Sequence, residues 1–208
     1  MSSLLSARPV SNWTRGGDPM TAMTTIGFPD RLVTLADWEQ LPEDELHHVE
    51  CGEGVLYVTP NPHFKHQRAT SRLMVLLDGQ LPAHLTAVSD IDVLFAEDPL
   101  TVRAPDVTVT STDIGEANPV RLRTKDVLLV VEILSPGSRR IDRVTKFSEY
   151  AEAEIAHYWI LDIDAPLLTC HRLTEHRTYE AAGEFDTVAQ IDTDWARLTI
   201  DLAALTRR

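Results

Sequence analysis

The stretch VLLVVEILSPGSRRIDRVTKFSEYAEAEIAHYWILD, residues 127 to 162, decides which fold this sequence predicts. It begins with VLLVVEIL, the most hydrophobic run in the chain, which is typical of a central strand buried on both faces. Residues 135 to 137, Ser-Pro-Gly, break this strand, and residues 138 to about 153 have the cap and the spacing of a helix. A second strand, residues 156 to 162, follows. A strand, a helix and a strand in succession predict a parallel crossover connection.

Outward from this stretch, local patterns predict the remaining elements. Thr34 and Asp37 have the spacing of a helix capping box. Gly52 and Gly54 predict a hairpin turn between two short strands within residues 47 to 59. A helix is predicted over residues 63 to 81, with Leu73, Met74, Leu76, Leu77 and Leu81 in the core. Strands are predicted over residues 85 to 95, 105 to 110, 167 to 172 and 178 to 181. On the helix of the first stretch, the residues predicted to face inward are Val144, Phe147 and Tyr150 or Ala151.

Together these elements predict an α/β protein in which a mixed, mostly antiparallel sheet is flanked by helices. Residues 1 to 29 mix Ser, Thr, Gly and Pro without apolar periodicity, so we predict a disordered leader there. Residues 30 to 208 show no internal repeat and no second boundary, and we expect them to form a single domain. Within that domain, residues 195 to 205 are weakly amphipathic and fit no particular element.

The composition is that of an ordinary globular protein with a strong acidic excess. The 208 residues are 43% hydrophobic and 25% charged, with 32 acidic and 19 basic side chains and a net charge of -13. A protein that holds nucleic acid through many phosphates usually has a basic face. Any grip on DNA must therefore be local, metal-assisted or supplied by a partner.

Cysteine usage and hydropathy indicate a cellular compartment. Cys51 and Cys170 lie far apart and match no zinc-binding spacing, so we predict free thiols in a reducing environment rather than a disulfide framework. No apolar run is long enough for a membrane span, and the N-terminus lacks a signal-peptide pattern. The sequence therefore predicts a cytoplasmic protein without a membrane partner.

Two acidic residues stand out because they accompany apolar strands. Glu132 lies inside the run VLLVVEIL, where an ionised carboxylate costs several kcal/mol unless a positive group compensates it. Arg139 or Arg140 could provide that charge in a purely structural salt bridge. Asp106 follows Pro105 at the mouth of a second apolar strand, PDVTVT. Two carboxylates on neighbouring strands can share a hard cation such as Mg²⁺, together with water and a substrate phosphate.

Lys146 lies fourteen positions after Glu132, on the helix that is expected to fold back over the sheet. One interpretation is an exposed ion pair with Asp142, four residues earlier, worth a few tenths of a kcal/mol. The other interpretation is that its ammonium points at the acids. There it would orient or polarise the attacking water and offset negative charge in the transition state.

Three stretches make the chain similar to a known family. They are ECGEGVLYVTPNPHFKHQ at 50 to 67, APDVTV at 104 to 109, and VVEILSPGSRRIDRVTKFSEYAEAEIAHYWILD at 130 to 162. Through them the chain resembles the Uma2-like proteins, a family within the PD-(D/E)xK nuclease superfamily. The resemblance spans most of residues 31 to 165 and implies a restriction-endonuclease-like core that hydrolyses phosphodiesters with a divalent metal.

The resemblance also implies roles for particular residues. Asp106 corresponds to the first metal acid of the superfamily, Glu132 to the second, and Glu50 to an auxiliary acid. The sequence departs from the superfamily signature two positions after Glu132, where Leu134 stands in place of a lysine. In Uma2-like proteins the lysine has moved to the following helix, which nominates Lys146 as the fourth catalytic residue.

Further candidates surround these four residues. Ser135 could bind a carboxylate or a phosphate, or cap the helix that follows. His66 matches a position of the family and could act on the substrate or on protons, whereas His63 and His66 together could ligate a transition metal. The basic residues that could hold phosphates, or that could simply form a solvated helix face, are Arg139, Arg140, Arg143 and Lys146.

The preferred hypothesis is an endonuclease that uses Mg²⁺, or Mn²⁺ as a substitute, and acts on nucleic acid, with DNA expected rather than RNA. By analogy with other nucleases of this architecture, a homodimer would cut both strands. One alternative is a nuclease-fold binding or accessory protein without useful catalysis, which the net charge of -13 and the displaced lysine favour. Another is a metal-dependent hydrolase of small phosphate compounds that uses the same acids.

Overall fold

The structure, a computed structural model, describes residues 31 to 42, 47 to 135 and 141 to 207, with the backbone alone at residues 141 and 142. The leader predicted for residues 1 to 29 lies outside the described residues. The strands are β1 (His47–Gly52), β2 (Val55–Pro60), β3 (Leu85–Val88), β4 (Val93–Glu97), β5 (Leu100–Arg103), β6 (Val107–Ser111), β7 (Leu122–Arg123), β8 (Val127–Ile133), β9 (His157–Asp162), β10 (Leu167–Leu173), β11 (Tyr179–Phe185), β12 (Val188–Asp192) and β13 (Arg197–Asp201). The α-helices are α1 (Leu35–Trp38), α2 (Phe64–Asp78), α3 (Thr112–Glu116), α4 (Lys146–Glu152) and α5 (Leu202–Thr206), with a 3₁₀ turn at Thr124–Asp126 and a π-helical turn at Ile141–Thr145.

Most of these strands form two large sheets. One sheet has the order β2-β1-β5-β4-β7, the other has the order β11-β10-β9-β8-β6-β3, and β12 pairs with β13 as a separate hairpin. Neighbouring strands are antiparallel except for β8 with β9 and β4 with β7. The predicted α/β class, with mixed and mostly antiparallel sheets flanked by helices, is confirmed. The parallel connection between β8 and β9 is confirmed as well.

The strand β8 lies inside the six-stranded sheet, as its run of apolar residues predicts. Its side chains alternate between the two faces of the sheet. Leu129, Val131 and Ile133 pack on one face, in a core that includes Leu73 and Leu77 of α2 and residues of α5. The amphipathic pattern of α2 therefore has the partner that a helix of this kind requires.

The opposite face of the same sheet packs into a second core. Val130 of β8 lies there with Val93 of β4, Leu122 of β7 and Tyr150 of α4. Because this core contains residues from strands of both large sheets, it joins them. Glu132 shares a face of β8 with Val130, so its carboxylate points into the space between the two sheets.

Several local features occur where the sequence predicts them. The capping box of Thr34 and Asp37 begins α1. The hairpin between β1 and β2 turns at Glu53 and Gly54, whose φ angles of 51° and 77° match a type I′ turn. Cys51 and Cys170 are buried free thiols. No helix among the described residues is long and apolar enough to cross a membrane.

The strand predicted over residues 85 to 95 is wrong. These residues form β3 and β4, which belong to different sheets. Asp90 adopts a φ of 56° between the two strands, and this left-handed conformation interrupts an extended chain. Further along the chain, residues 197 to 206 form β13 and α5, and the sequence patterns do not predict β12 before them.

The inward orientation predicted for Val144 is also wrong, because its side chain is 60% exposed. Val144 lies in the π-helical turn that precedes α4. A π turn contains more residues than an α-helical turn, so the spacing that aligns Val144 with Phe147 in a regular helix does not hold here. Phe147, Tyr150 and Ala151 all pack inward. The described α-helix begins at Lys146, and residue 139, the predicted start, lies outside the described residues.

We expect Leu73→Ala to lower the free energy of unfolding by about 2–5 kcal/mol, because it removes a fully buried side chain from the core between α2 and the sheet. Val75→Ala lies on the exposed face of the same helix and should change that free energy by less than about 0.5 kcal/mol. Urea denaturation followed by circular dichroism measures both changes. Equal losses in the two variants would contradict the packing of α2 on the sheet.

Candidate active site

The acids that the sequence singles out meet where the two large sheets face each other. Glu132 in β8 and Glu50 in β1 belong to different sheets. Glu50, Glu132 and Lys146 are all buried, with 8%, 4% and 6% of their surfaces exposed. Ionised groups in such surroundings must be paired or they become neutral. Their contacts therefore decide what the site can do.

Lys146, the first residue of α4, connects the two acids. Its Nζ lies 3.0 Å from Oε1 of Glu132 and 3.0 Å from Oε1 of Glu50. The interpretation of Lys146 as an ordinary exposed ion pair is wrong, because its side chain is only 7% exposed. Lys146 directly follows the π-helical turn Ile141–Thr145, and its ammonium reaches acids of both sheets.

Glu50 is bound from several sides. Its Oε1 accepts a hydrogen bond of 3.1 Å from the backbone nitrogen of Ala104, and its Oε2 accepts one of 3.3 Å from Nη1 of Arg103. Nε2 of His48 lies 3.9 Å from Oε1. Burial raises the pKa of the Glu50 carboxyl, but Lys146, His48 and Arg103 together outweigh burial and hold the pKa well below its usual range. Glu50 is therefore a permanent negative charge of the site.

Tyr150 belongs to this site, although the sequence analysis assigns it only to the core. Its hydroxyl donates a hydrogen bond of 2.6 Å to Oε1 of Glu132, the same oxygen that faces Lys146. Burial raises the pKa of Tyr150 well above its usual value, and the charge of Glu132 adds to the effect, so the phenol remains a donor. The signal in the sequence is spacing, because Tyr150 follows Lys146 by one helical turn.

Arg103 is the second residue of the site that the sequence analysis omits. Its Nε and Nη2 donate to the two carboxylate oxygens of Glu149 at 2.8 and 2.7 Å. Burial lowers the pKa of Arg103, but Glu149 and Glu50 more than compensate and raise it above its usual value. The signal that could have found it is a charged residue at the end of the apolar strand LTVR, directly before the APD stretch.

Asp106 lies at the start of β6, beside the end of β8. Its Oδ2 accepts a hydrogen bond of 2.7 Å from the backbone nitrogen of Ile133. If the register of β6 and β8 is continued by one step, Asp106 lies opposite Glu132. Residues that are directly opposite in an antiparallel pair share a face and are close neighbours. On that register the two predicted metal acids are neighbours along the backbone, while the carboxylate of Asp106 contacts the backbone of Ile133 and faces His66.

His66 on α2 faces the same end of β8. Its Nε2 donates a hydrogen bond of 2.8 Å to the carbonyl oxygen of Ile133 and lies 3.4 Å from Oδ2 of Asp106. Burial lowers the pKa of His66, but Asp106, the carbonyl of Ile133 and Glu132 raise it above the ordinary histidine value. His63, the proposed partner of His66 in a transition-metal site, is exposed at the start of α2 while His66 is buried.

The remaining predicted candidates are Ser135 and the basic residues. Ser135 follows the end of β8 and is partly buried. Arg143 is exposed, whereas Lys146 is buried, so the two do not form one exposed basic patch. Arg139 and Arg140 lie outside the described residues.

Among the described residues, carboxylates outnumber arginine and lysine side chains at this site. The carboxylates are Glu50, Asp106, Glu132 and Glu149, and the cations are Arg103 and Lys146, with His48 and His66 beside them. The carboxylates of Asp106 and Glu132 are the hard oxygen donors that Mg²⁺ prefers. The described residues include no group of three or more His, Cys, Asp and Glu placed to hold a metal.

We expect Tyr150→Phe to lower the free energy of unfolding by about 1.5–3 kcal/mol, because the lost hydroxyl donates to the ionised acceptor Glu132. Tyr179→Phe is the matched control, since its buried hydroxyl donates to the neutral carbonyl of Ile155 at 2.8 Å. A neutral hydrogen bond of this kind contributes about 0.5–1.5 kcal/mol. Chemical denaturation at pH 7 measures both losses, and a Tyr150 loss no larger than the Tyr179 loss would contradict the contact.

The lowered pKa of Glu50 predicts a pH-dependent contribution to stability. This contribution is fully present above the ordinary carboxyl pKa of 4.5 and is lost as the pH falls toward the lower folded-state value. The difference in unfolding free energy between wild type and Glu50→Gln should be largest near about pH 5.5. It should shrink below about pH 4.5 as Glu50 is protonated, and also above about pH 6.5, because the protonated His48 that Glu50 stabilises loses its charge there. Urea titrations in the presence of EDTA measure this difference. If it grew below about pH 4.5, the ionised state assigned to Glu50 would be wrong.

Comparisons with known proteins agree with this architecture. The chain matches the sequence model of the Uma2 family, described as "Putative restriction endonuclease", over residues 35 to 200. It is also similar to a crystal structure from Anabaena variabilis described as "a putative nuclease belonging to DUF820", with a TM-score of 0.66 and 19% identity, over 84% of this chain and 97% of that chain. At this identity the likeness shows the fold alone. No curated protein matches the chain.

The family match extends from α1 to β13 and includes every residue of the site described above. The restriction-endonuclease-like core that the resemblance implies is confirmed by the similar crystal structure. Both observations agree with the three stretches of sequence that carry the resemblance. The chain belongs to the Uma2 family.

Proposed function

We propose that this protein is a metal-dependent endonuclease that hydrolyses phosphodiester bonds of nucleic acid. The family and the similar structure indicate a nuclease. DNA as the substrate, and Mg²⁺ or Mn²⁺ as the cofactor, are the finer parts of the proposal. The observation that carries it is the ammonium of Lys146 3.0 Å from Oε1 of Glu132, at the end of β8 where Asp106 binds the backbone nitrogen of Ile133.

The described residues can be assigned separate roles in this reaction. Asp106 and Glu132 would hold the ion, which when bound supplies a Lewis acid and lowers the pKa of water. Lys146 provides positive charge where the phosphate becomes more negative in the transition state. Glu50 holds Lys146 in place and adds negative charge that could support a second ion or the attacking water. His66, beside Asp106, is the group best suited to hold or release a proton near neutral pH.

The described residues offer few free contacts to nucleic acid, because most of their basic side chains are already paired. Arg121 binds Glu39 and Arg172 binds Glu180, for example, while Arg72 binds a backbone carbonyl near the C-terminus. Within the described ranges, the basic side chains with neither an acid nor a carbonyl partner are Lys125, Arg143 and Arg207. A phosphate bridged by the metal is therefore the main expected contact with the substrate.

One observation favours a nuclease-fold binding protein without useful catalysis. The ammonium of Lys146 is already neutralised by Glu50 and Glu132, so this part of the network is satisfied without a bound ion. The scarcity of unpaired basic side chains similarly favours a hydrolase of small phosphate compounds, which needs no extended basic surface. Both alternatives use the same residues, and a cleavage experiment separates them from an endonuclease.

Location and assembly are further parts of the proposal. The buried free thiols of Cys51 and Cys170 suit a reducing compartment such as the cytoplasm. A homodimer would present two active sites to the two strands of a duplex. Size-exclusion chromatography with light scattering, with and without DNA, measures the assembly.

Purified protein with supercoiled plasmid and Mg²⁺ should produce nicked DNA, and EDTA should abolish the nicking. Asp106→Asn should lower the rate by at least about 100-fold, because it removes a charge from the metal site. The substitution keeps an oxygen that can accept from the backbone nitrogen of Ile133. Asp113→Asn, at an exposed position in α3, is the matched control and should leave the rate unchanged.

The other outcomes of this experiment identify the alternatives. Equal nicking by wild type and Asp106→Asn would refute the enzyme hypothesis for this site. Binding of DNA in a gel-shift assay without cleavage in Mg²⁺ or Mn²⁺ would favour the binding protein. Hydrolysis of a small phosphodiester such as bis(p-nitrophenyl) phosphate, without cleavage of plasmid, would favour the small-molecule hydrolase.

A further inference from the structure

We propose that Arg103 is a positioning residue of the active site, which fixes Glu50 and α4 relative to each other and thereby sets the place of the Lys146 ammonium. The inference rests on the proposed function for its catalytic consequence. Its structural part concerns only where Lys146 is held. The two parts can be tested separately.

The first observation is that Arg103 donates hydrogen bonds to two different acids, Glu149 and Glu50. It ends β5 in the five-stranded sheet, and its side chain is 2% exposed. Nε and Nη2 bind both oxygens of Glu149 at 2.8 and 2.7 Å. Nη1 binds Oε2 of Glu50 at 3.3 Å. One planar guanidinium therefore holds an acid of the site and an acid of the helix α4.

Both partners of Arg103 lead to Lys146. Glu149 follows Lys146 by three residues on α4, which places the two about one helical turn apart. Glu50 presents its other oxygen, Oε1, to Nζ of Lys146 at 3.0 Å. The contacts thus form a closed ring from Arg103 through Glu50, Lys146, the helix and Glu149 back to Arg103. A shift of α4 along or away from the sheet has to break one of these contacts.

The chain also keeps space for the guanidinium. A Cβ atom at Gly52 would lie 2.6 Å from Nη2 of Arg103 and 3.0 Å from the ring of Tyr57. The Tyr57 ring in turn lies 5.3 Å from the guanidinium carbon, within the range of a cation–π contact. Gly52 therefore leaves the room that Nη2 occupies, and Nη2 is one of the two nitrogens that bind Glu149. A larger residue at position 52 would displace the guanidinium from this contact.

Arginine is suited to this position in a way that lysine is not. Its fork of donors matches the two oxygens of a carboxylate, whereas an ammonium acts as a compact point charge. Arg103→Lys would keep the positive charge but could not bind Glu149 through two parallel hydrogen bonds and also reach Glu50. The substitution therefore separates the charge of Arg103 from its geometry.

The test of the structural part is chemical labelling of Lys146. Acetylation by a small N-hydroxysuccinimide ester, quantified by mass spectrometry, reports how often the buried amine is released. In Arg103→Lys and in Glu149→Gln we expect the rate at Lys146 to rise roughly tenfold relative to the exposed Lys125, because the local structure loses charge-assisted contacts. The matched controls are Arg123→Lys, an exposed arginine paired with Glu97, and Glu152→Gln, an exposed residue of α4.

A parallel measurement distinguishes local displacement from loss of stability. Cys170 is buried in the core on the other face of the six-stranded sheet, so its reaction with a thiol reagent reports global opening. Faster labelling of Lys146 with unchanged protection of Cys170 supports the positioning role. Unchanged labelling of Lys146 overturns it, and so does a rise in both rates together, because Arg103 would then act only through overall stability.

The catalytic consequence is measured in the plasmid assay. In Arg103→Lys and Glu149→Gln we expect kcat to fall roughly 10- to 100-fold with little change in KM for DNA, as for residues that orient a catalytic group. An unchanged kcat together with faster labelling would overturn the catalytic part of the inference. If the wild-type protein does not cleave DNA, the proposed function fails, and the labelling result still decides whether Arg103 positions Lys146.

Discussion

The ammonium of Lys146 lies between two carboxylates that come from different sheets, and the packing of the two sheets has to accommodate all three charges. Removing each of these charges from water costs several kcal/mol, which mutual attraction offsets only when the geometry is good and the remaining donors and acceptors are satisfied. Tyr150 supplies a donor to Glu132, and the backbone nitrogen of Ala104 supplies one to Glu50. The second core therefore has a polar centre in which these charged groups have hydrogen-bonding partners.

Stability alone does not explain such a centre. Apolar side chains of similar volume would fill the space between the sheets without desolvating any charge, and replacements of this kind are often neutral or stabilising in other proteins. Places where a sequence departs from local consistency are the ones expected to be functional. Here the departure is Glu132, a buried carboxylate in a strand that is otherwise apolar.

The acidic character of the chain limits how such a site could hold a polyanion. Many of its basic side chains have internal structural tasks. Lys65 binds the carbonyl of Ile163 and the carboxylate of Asp164, and Arg103 binds two acids between the sheets. Membership of the Uma2 family and a restriction-endonuclease-like fold do not by themselves fix the substrate. Binding of a polyanionic substrate would therefore depend on the contacts that a phosphate makes at the site, rather than on the overall charge of the protein.

Much of the local structure could be predicted from the sequence, because it depends on neighbours along the chain. The apolar run of β8, the capping box at Thr34 and the turn at Gly54 each have a signal within a few residues. Alternation along β8 also predicts that Glu132 is buried and requires a partner. The positions of Asp106 and Lys146 also make them candidates, and the family resemblance adds Glu50, but none of this determines which of them touch.

Only the tertiary structure decided those contacts. The sequence leaves Lys146 either exposed beside Asp142 or directed at the acids, and the π-helical turn before α4, which displaces Val144, has no signal in the apolar spacing. Arg103 and Tyr150 acquire their roles from residues that are distant in the chain. The spacing of apolar residues in the sequence predicts which side chains are buried, because the side chains of a strand or a helix face the core at regular intervals along the chain. The choice of partner for a buried charge depends on how separate elements pack, and that is set by the whole chain.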